Sequence, residues 1–185
     1  MRTSCFALAF VLTISSTLAA ATQATAQGVP AMVILVRHAE KTTAGGSDPS
    51  ISEAGHARAD ALAAAIADAH VTAIITTTFK RTFETAEPFA LAHGITIEKL
   101  AVNGDVAAAV RKHAGEVVLV VGHSNTVPAI VNTLGGPKLA DICDASYATM
   151  FTLVPATDGK TASVVKSRYG AADPAGAETC SQPTR

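Results

Sequence analysis

The chain has no tryptophan, and aromatic residues make up only 4% of its 185 positions. It therefore cannot offer the rows of rings on which single-stranded nucleic acid stacks. It also lacks a basic excess: 14 Lys and Arg stand against 15 Asp and Glu, a formal net charge of −1, so no nucleic-acid footprint is present. No block of like charge marks a solvating tail. Neither HExxH nor a Cys-x-x-Cys pair occurs, so the six histidines carry no zinc spacing and no metal is expected. There is no GxxxxGK[ST] phosphate loop. Gly122-His123-Ser124-Asn125-Thr126 resembles the serine-hydrolase elbow, but Thr126 stands where a glycine is required.

What is present suits one globular domain with a substantial core, since 49% of residues are hydrophobic and 16% charged. The start of the chain stands apart. Arg2, the apolar run Cys5 to Ile14 and the small-x-small triplet Ala24-Thr25-Ala26 have the order of an export signal over residues 1–26. The apolar run falls short of the roughly 20 residues that span a bilayer. Cleavage would remove one base and no acid, giving 13 − 15 = −2 for residues 27–185. The mature chain would be exported to periplasm or medium, with no membrane attachment. Cleavage would also remove Cys5 and leave Cys143 and Cys180. An even count in an exported chain suggests a disulfide between them. Two free thiols are the alternative, because spacing alone does not show proximity.

Strand and helix signals then alternate. Strands are expected at 32–36, 72–77, 95–100 and 117–121, with a closing pair at 149–154 and 161–166 around Asp158-Gly159. Helices are expected from Ser52 to about Ala69, Lys80 to His93, Asp105 to His113 and Val127 to Leu134, with glycines following the last three. Residues 42–50 read as a loop, and the tail 170–185 as irregular or mobile. The alternation implies an α/β fold with a mostly parallel sheet covered by helices on both faces. The domain proper would run from 27 to 169.

Sites in such sheets lie beyond the carboxyl ends of the strands. Three strand ends carry suggestive residues. VILVRHAE ends a core strand on Arg37-His38. VVLVV runs straight into Gly122-His123. TAIITT leads through FKRTFETA to Arg81. Guanidinium forks match phosphate oxygens, helix N-termini add backbone donors, and a neutral imidazole is a competent nucleophile toward phosphorus. Arg37, His38, Arg81 and His123 together read as an anion pocket with a nucleophile at its floor. Thr77 could add a hydroxyl, although it is equally an ordinary strand residue. Lys41 could attract an anionic substrate or simply be solvated.

In this order VRHAEK, ISEAGHARADALA, ITTTFKRTFETAEPFA and VVGHSNTVP resemble the histidine phosphatase superfamily (phosphoglycerate mutase-like), over about residues 31–168. The resemblance implies a three-layer α/β/α sandwich and no cofactor. His38 would be the transiently phosphorylated nucleophile, with Arg37, Arg81 and His123 binding the phosphoryl group of a small phosphorylated substrate. A phosphomonoester phosphatase is the leading expectation; a phosphohistidine-protein phosphatase and a non-catalytic phosphoryl-binding module are the alternatives. The family's carboxylic proton donor does not transfer cleanly, because Ser124 follows the second histidine. Asp105 is favoured for that role over Glu84 and Glu40. As bland alternatives, Asp105 would be an N-cap and Glu84 a helical partner of Arg81.

Overall fold

The computed structural model describes residues 29–101 and 104–180. The expected leader 1–26 and residues 181–185 lie outside the described residues. Six strands form one sheet in the order β3-β2-β4-β1-β5-β6. They are β1 (Met32–Arg37), β2 (Ala73–Thr77), β3 (Ile97–Leu100), β4 (Val117–Gly122), β5 (Thr149–Pro155) and β6 (Ala162–Arg168). The first four run parallel, β5 is antiparallel to β1, and β6 returns antiparallel to β5.

The centre of the sheet follows from composition. β1 and β4 are unbroken runs of Val, Ile and Leu, the pattern of strands buried on both faces. Their side chains alternate between two cores. Val33, Leu35, Ile75, Val118 and Val120 meet helices α3 (Val106–Val110) and α4 (Thr126–Thr133) through Val110, Val127 and Val131. Ile34, Val36, Ile74, Leu119 and Val121 meet α1 (Glu53–Ala65) and α2 (Lys80–His93) through Leu62, Ile66 and Phe89. The result is the three-layer sandwich with a mostly parallel sheet.

Local chemistry sets the ends of the helices. Ser52 caps α1, its hydroxyl accepting from the Gly55 N–H at 3.2 Å. Gly55 lies so close to the loop after β1 that a Cβ would collide with the Glu40 carbonyl. Gly94, at φ 66°, ends α2 in the left-handed conformation. Two helices are shorter than expected. α1 stops at Ala65, because the chain must turn to bury Val71 ahead of β2, despite the helix-forming alanines up to Ala69. α3 stops at Val110, and Lys112 and His113 bond back three residues, to Ala109 and Val110, in tighter turns. The segment 170–180 has no helix or strand, yet it is tied down: Cys143 and Cys180 form a disulfide with their Cα atoms 5.5 Å apart. No helix among the described residues is long and apolar enough to cross a membrane.

Candidate active site

Parallel register carries the two histidines together. β1 pairs with β4 so that Arg37 lies opposite Gly122, and the next residue on each strand is a histidine. The His38 N–H donates to the Gly122 carbonyl at 2.8 Å. Gly122 has no room for a side chain, since a Cβ would stand 2.9 Å from the Thr126 hydroxyl and 3.0 Å from Val127. This lets α4 start directly over β4. The Thr126 hydroxyl accepts from the His123 N–H at 2.8 Å and fixes the second histidine. The two imidazole centroids are 5.4 Å apart.

Arg81 arrives from the third strand end. Thr82, fully buried at the start of α2, donates to the Thr77 and Phe79 carbonyls and holds this turn. Thr85 ties the loop after His38 to the same helix: its hydroxyl accepts from the Ala39 N–H at 2.9 Å and donates to the Arg81 carbonyl at 2.6 Å.

Each guanidinium rests on an aromatic ring. Arg81 lies 4.0 Å over Phe79, and Arg37 lies 4.2 Å over Tyr147. Arg37 Nη1 also donates to the carbonyls of Cys143 (2.8 Å), Asp144 (3.0 Å) and Ser146 (3.1 Å). Arg81 Nη1 stands 3.8 Å from the Asp48 carboxylate. Arg37 Nε and His123 Nε2 are buried and have no hydrogen-bond partner among the described residues. Buried polar atoms are rarely left so.

The electrostatics favour neutral imidazoles. Burial pushes His38 down to about 3, against the pull of its bond to Ala39, with Arg37, His123 and Arg81 adding repulsion. Burial, Arg81 and Arg37 push His123 down to about 4. His38 Nδ1 is 2.7 Å from the Ala39 carbonyl, which can only accept. The ring proton is therefore on Nδ1, and Nε2 carries the free lone pair.

These groups line a cavity of about 540 Å³ that contains Arg37, His38, Arg81 and His123, with Lys41 also on its wall. Thr77 and Asp105 do not reach it. Both line a neighbouring cavity of about 450 Å³ under α3 and α4. The Thr77 hydroxyl is bonded to Thr82 at 2.8 Å, and the Asp105 carboxylate caps α3 by accepting from the Ala108 N–H at 2.8 Å. The other two acid candidates are also engaged elsewhere. Glu84 accepts from the Ile51 N–H at 2.8 Å, and Glu40 pairs with Arg58 at 2.7 Å. Sequence reasoning missed Phe79, Thr85, Asp144 and Tyr147. Phe79 stands in the quoted FKRTFETA stretch and was legible as the residue before the helix. Asp144 and Tyr147 follow Cys143, and only the tertiary fold brings that loop to Arg37. Among the described residues, no group of three or more His, Cys, Asp or Glu is placed to hold a metal ion.

Fold and site define a three-layer α/β protein with paired histidines and arginines at adjoining strand ends. Residues 33–101 match the histidine phosphatase superfamily (branch 1). No curated protein sequence matches the chain. Solved structures do. SixA of Agrobacterium tumefaciens, assigned as a phosphohistidine phosphatase, is 24% identical over 68% of this chain and 92% of its own, with a TM-score of 0.54. The protein histidine phosphatase SixA complexed with tungstate is 15% identical over 74% and 96%, with a TM-score of 0.58. Mycobacterial glucosyl-3-phosphoglycerate phosphatase with inorganic phosphate is 15% identical over 80% and 99%, with a TM-score of 0.56. At these identities the likeness is one of fold.

Proposed function

We propose that the protein is a phosphatase that hydrolyses phosphomonoesters through a phosphohistidine on His38. One observation carries the reading: His38, whose Nε2 is left free, lines one cavity with Arg37, Arg81 and His123, and among the described residues Arg37 Nε and His123 Nε2 have no hydrogen-bond partner. Phosphoryl oxygens would satisfy both. The guanidiniums of Arg37 and Arg81 stabilise charge on the equatorial oxygens while Nε2 attacks phosphorus. A proton on His123 Nε2 donates to a third oxygen. Water then attacks the phosphohistidine and releases phosphate.

The test is phosphate release from an activated aryl phosphate, in chelator, by wild type and by His38→Ala. Release by wild type that survives chelator and is lost in the variant, with an acid-labile phosphoryl adduct in the wild type, is the expected result. Equal rates from both proteins would refute His38 as the nucleophile. Phosphate binding with no adduct and no turnover would establish the binding-module reading instead.

A phosphohistidine-protein phosphatase is the second reading. It is favoured by the positions of Glu40, Glu84 and Asp105, none of which lines the cavity, where the one carboxyl among the described residues is the solvent-exposed Asp144. Phosphohistidine, a substrate with a good leaving group, has little need of a fixed acid. Dephosphorylation of a phosphohistidine protein at a kcat/KM far above that for any ester would establish it. Export through residues 1–26 belongs to the first proposal, the phosphomonoester phosphatase, and argues against the second. The Cys143–Cys180 bridge supports it, because disulfides persist in oxidising compartments. Finding the protein in the cytoplasm of the native cell with its leader uncleaved would refute it.

A further inference from the structure

We propose that Asp144 is the general acid that protonates the leaving oxygen, an assignment that rests on His38 as the phosphoryl acceptor. In-line attack sends the leaving oxygen away from the nucleophile. His38 is 4% exposed at the floor of the cavity, so that oxygen departs toward the mouth. Asp144 stands at the mouth: its side chain is fully exposed, and it carries the only carboxyl among the described residues lining the cavity.

Its backbone is held in place, and its carboxyl stands beside Arg37 with its outer side open to the cavity mouth. The Asp144 carbonyl accepts from Arg37 Nη1 at 3.0 Å, and the preceding residue is disulfide-bonded. Oδ1 lies 3.8 Å from Arg37 Nη2, next to the group that would hold the phosphoryl oxygens. Glu40, Glu84, Asp105 and Asp48 accept hydrogen bonds from Arg58 or from backbone N–H groups, whereas the Asp144 carboxyl accepts none among the described residues.

The step balances. His38 Nε2 bonds to phosphorus as the ester P–O bond breaks, and the departing oxygen takes both the electron pair and the Asp144 proton. In the second half a water oxygen bonds to phosphorus, one water proton returns to the Asp144 carboxylate, and the P–N bond breaks. His38 recovers its lone pair, and the net reaction is ester plus water to alcohol plus phosphate.

A general acid matters in proportion to how poor the leaving group is. The experiment compares wild type and Asp144→Asn on p-nitrophenyl phosphate, phenyl phosphate and an alkyl phosphate. Isothermal titration with inorganic phosphate serves as the folding control. Asp144→Asn is expected to retain p-nitrophenyl phosphate turnover within a few-fold and to lose about 100-fold or more on the alkyl ester. An equal loss on all three esters, or no loss on any, would overturn the assignment. Unchanged turnover with tighter phosphate binding would overturn it too, and would make Asp144 merely a competitor for Arg37. Wild type inactive on every ester would remove the phosphatase reading itself, and this assignment with it.

Discussion

His38 and His123 carry the strongest electrostatic consequence in the molecule. Both rings are held neutral far below the ordinary 6.5, to about 3 and about 4, chiefly by burial. Unfolding exposes them, and the unfolded chain then takes up protons below pH 6.5 that the native chain refuses. Their contribution to stability is therefore fully present above pH 6.5 and is lost as pH falls toward 3 for His38 and 4 for His123. A tenfold difference in proton affinity between the two states is worth about 1.4 kcal/mol, so urea unfolding at pH 5 should show roughly 1–2 kcal/mol less stability per ring than at pH 7.5. Ring-proton NMR should show neither histidine titrating between pH 8 and 5; an inflection near 6.5 in either would refute the burial argument. Arg37, His38, Arg81 and His123 were legible because each follows a strand that the sequence marks plainly, and parallel strands deliver their ends to one edge. Thr77 was misread because a strand's last residue can face either way; here its hydroxyl is engaged by Thr82. Asp105 was misread because an acid before a short helix serves as a cap, and the cap won.

Among the elements, α1 does more than cover the sheet. Arg58 projects from it, 4% exposed, into the loop after His38, where it pairs with Glu40 at 2.7 Å and donates to the Tyr169 and Ala171 carbonyls at 3.2 and 3.1 Å. Asp173, equally buried, lies 4.0 Å away. One guanidinium thus joins α1, the loop after His38 and the C-terminal segment. Removing one partner of a buried ionic group leaves the others unpaired. Arg58→Ala should cost about 3 kcal/mol in urea unfolding, while Lys166→Ala, which breaks an exposed pair with Glu178, should cost less than about 1 kcal/mol. Equal effects of the two would show that the network adds nothing beyond a surface pair. No local pattern marks this network, because its members are scattered from 40 to 173. α2, by contrast, was legible from end to end: its apolar spacing and terminal Gly94 outweigh Pro88, whose interior position costs about 3 kcal/mol in an isolated helix.

For the whole molecule, the open question is what the segment beyond β6 does. It returns across the sandwich and grips the loop after α4 at two places. Asp173 accepts from the Tyr147 and Ala148 N–H groups at 2.7 and 3.0 Å, and Cys180 is bonded to Cys143. Between these grips lie the carbonyls of Cys143, Asp144 and Ser146 that hold Arg37. A tail read from composition as irregular or mobile therefore bears on a guanidinium more than 100 residues away in sequence. Spacing could not show this, because it does not reveal which cysteines meet. Closing a loop of 37 residues should contribute about 3–4 kcal/mol, so Cys180→Ser, or reduction of the wild type, should lower the unfolding free energy by that amount. The bridge also bounds the loop that orients Arg37, so the same change should weaken binding of inorganic phosphate several-fold, read by isothermal titration well below the unfolding transition. If stability falls and phosphate affinity does not, the three carbonyls and Asp173 hold Arg37 unaided, and the bridge serves stability alone. If affinity falls as well, the tail is part of what shapes the phosphoryl pocket, and an oxidising surrounding is a condition of full activity.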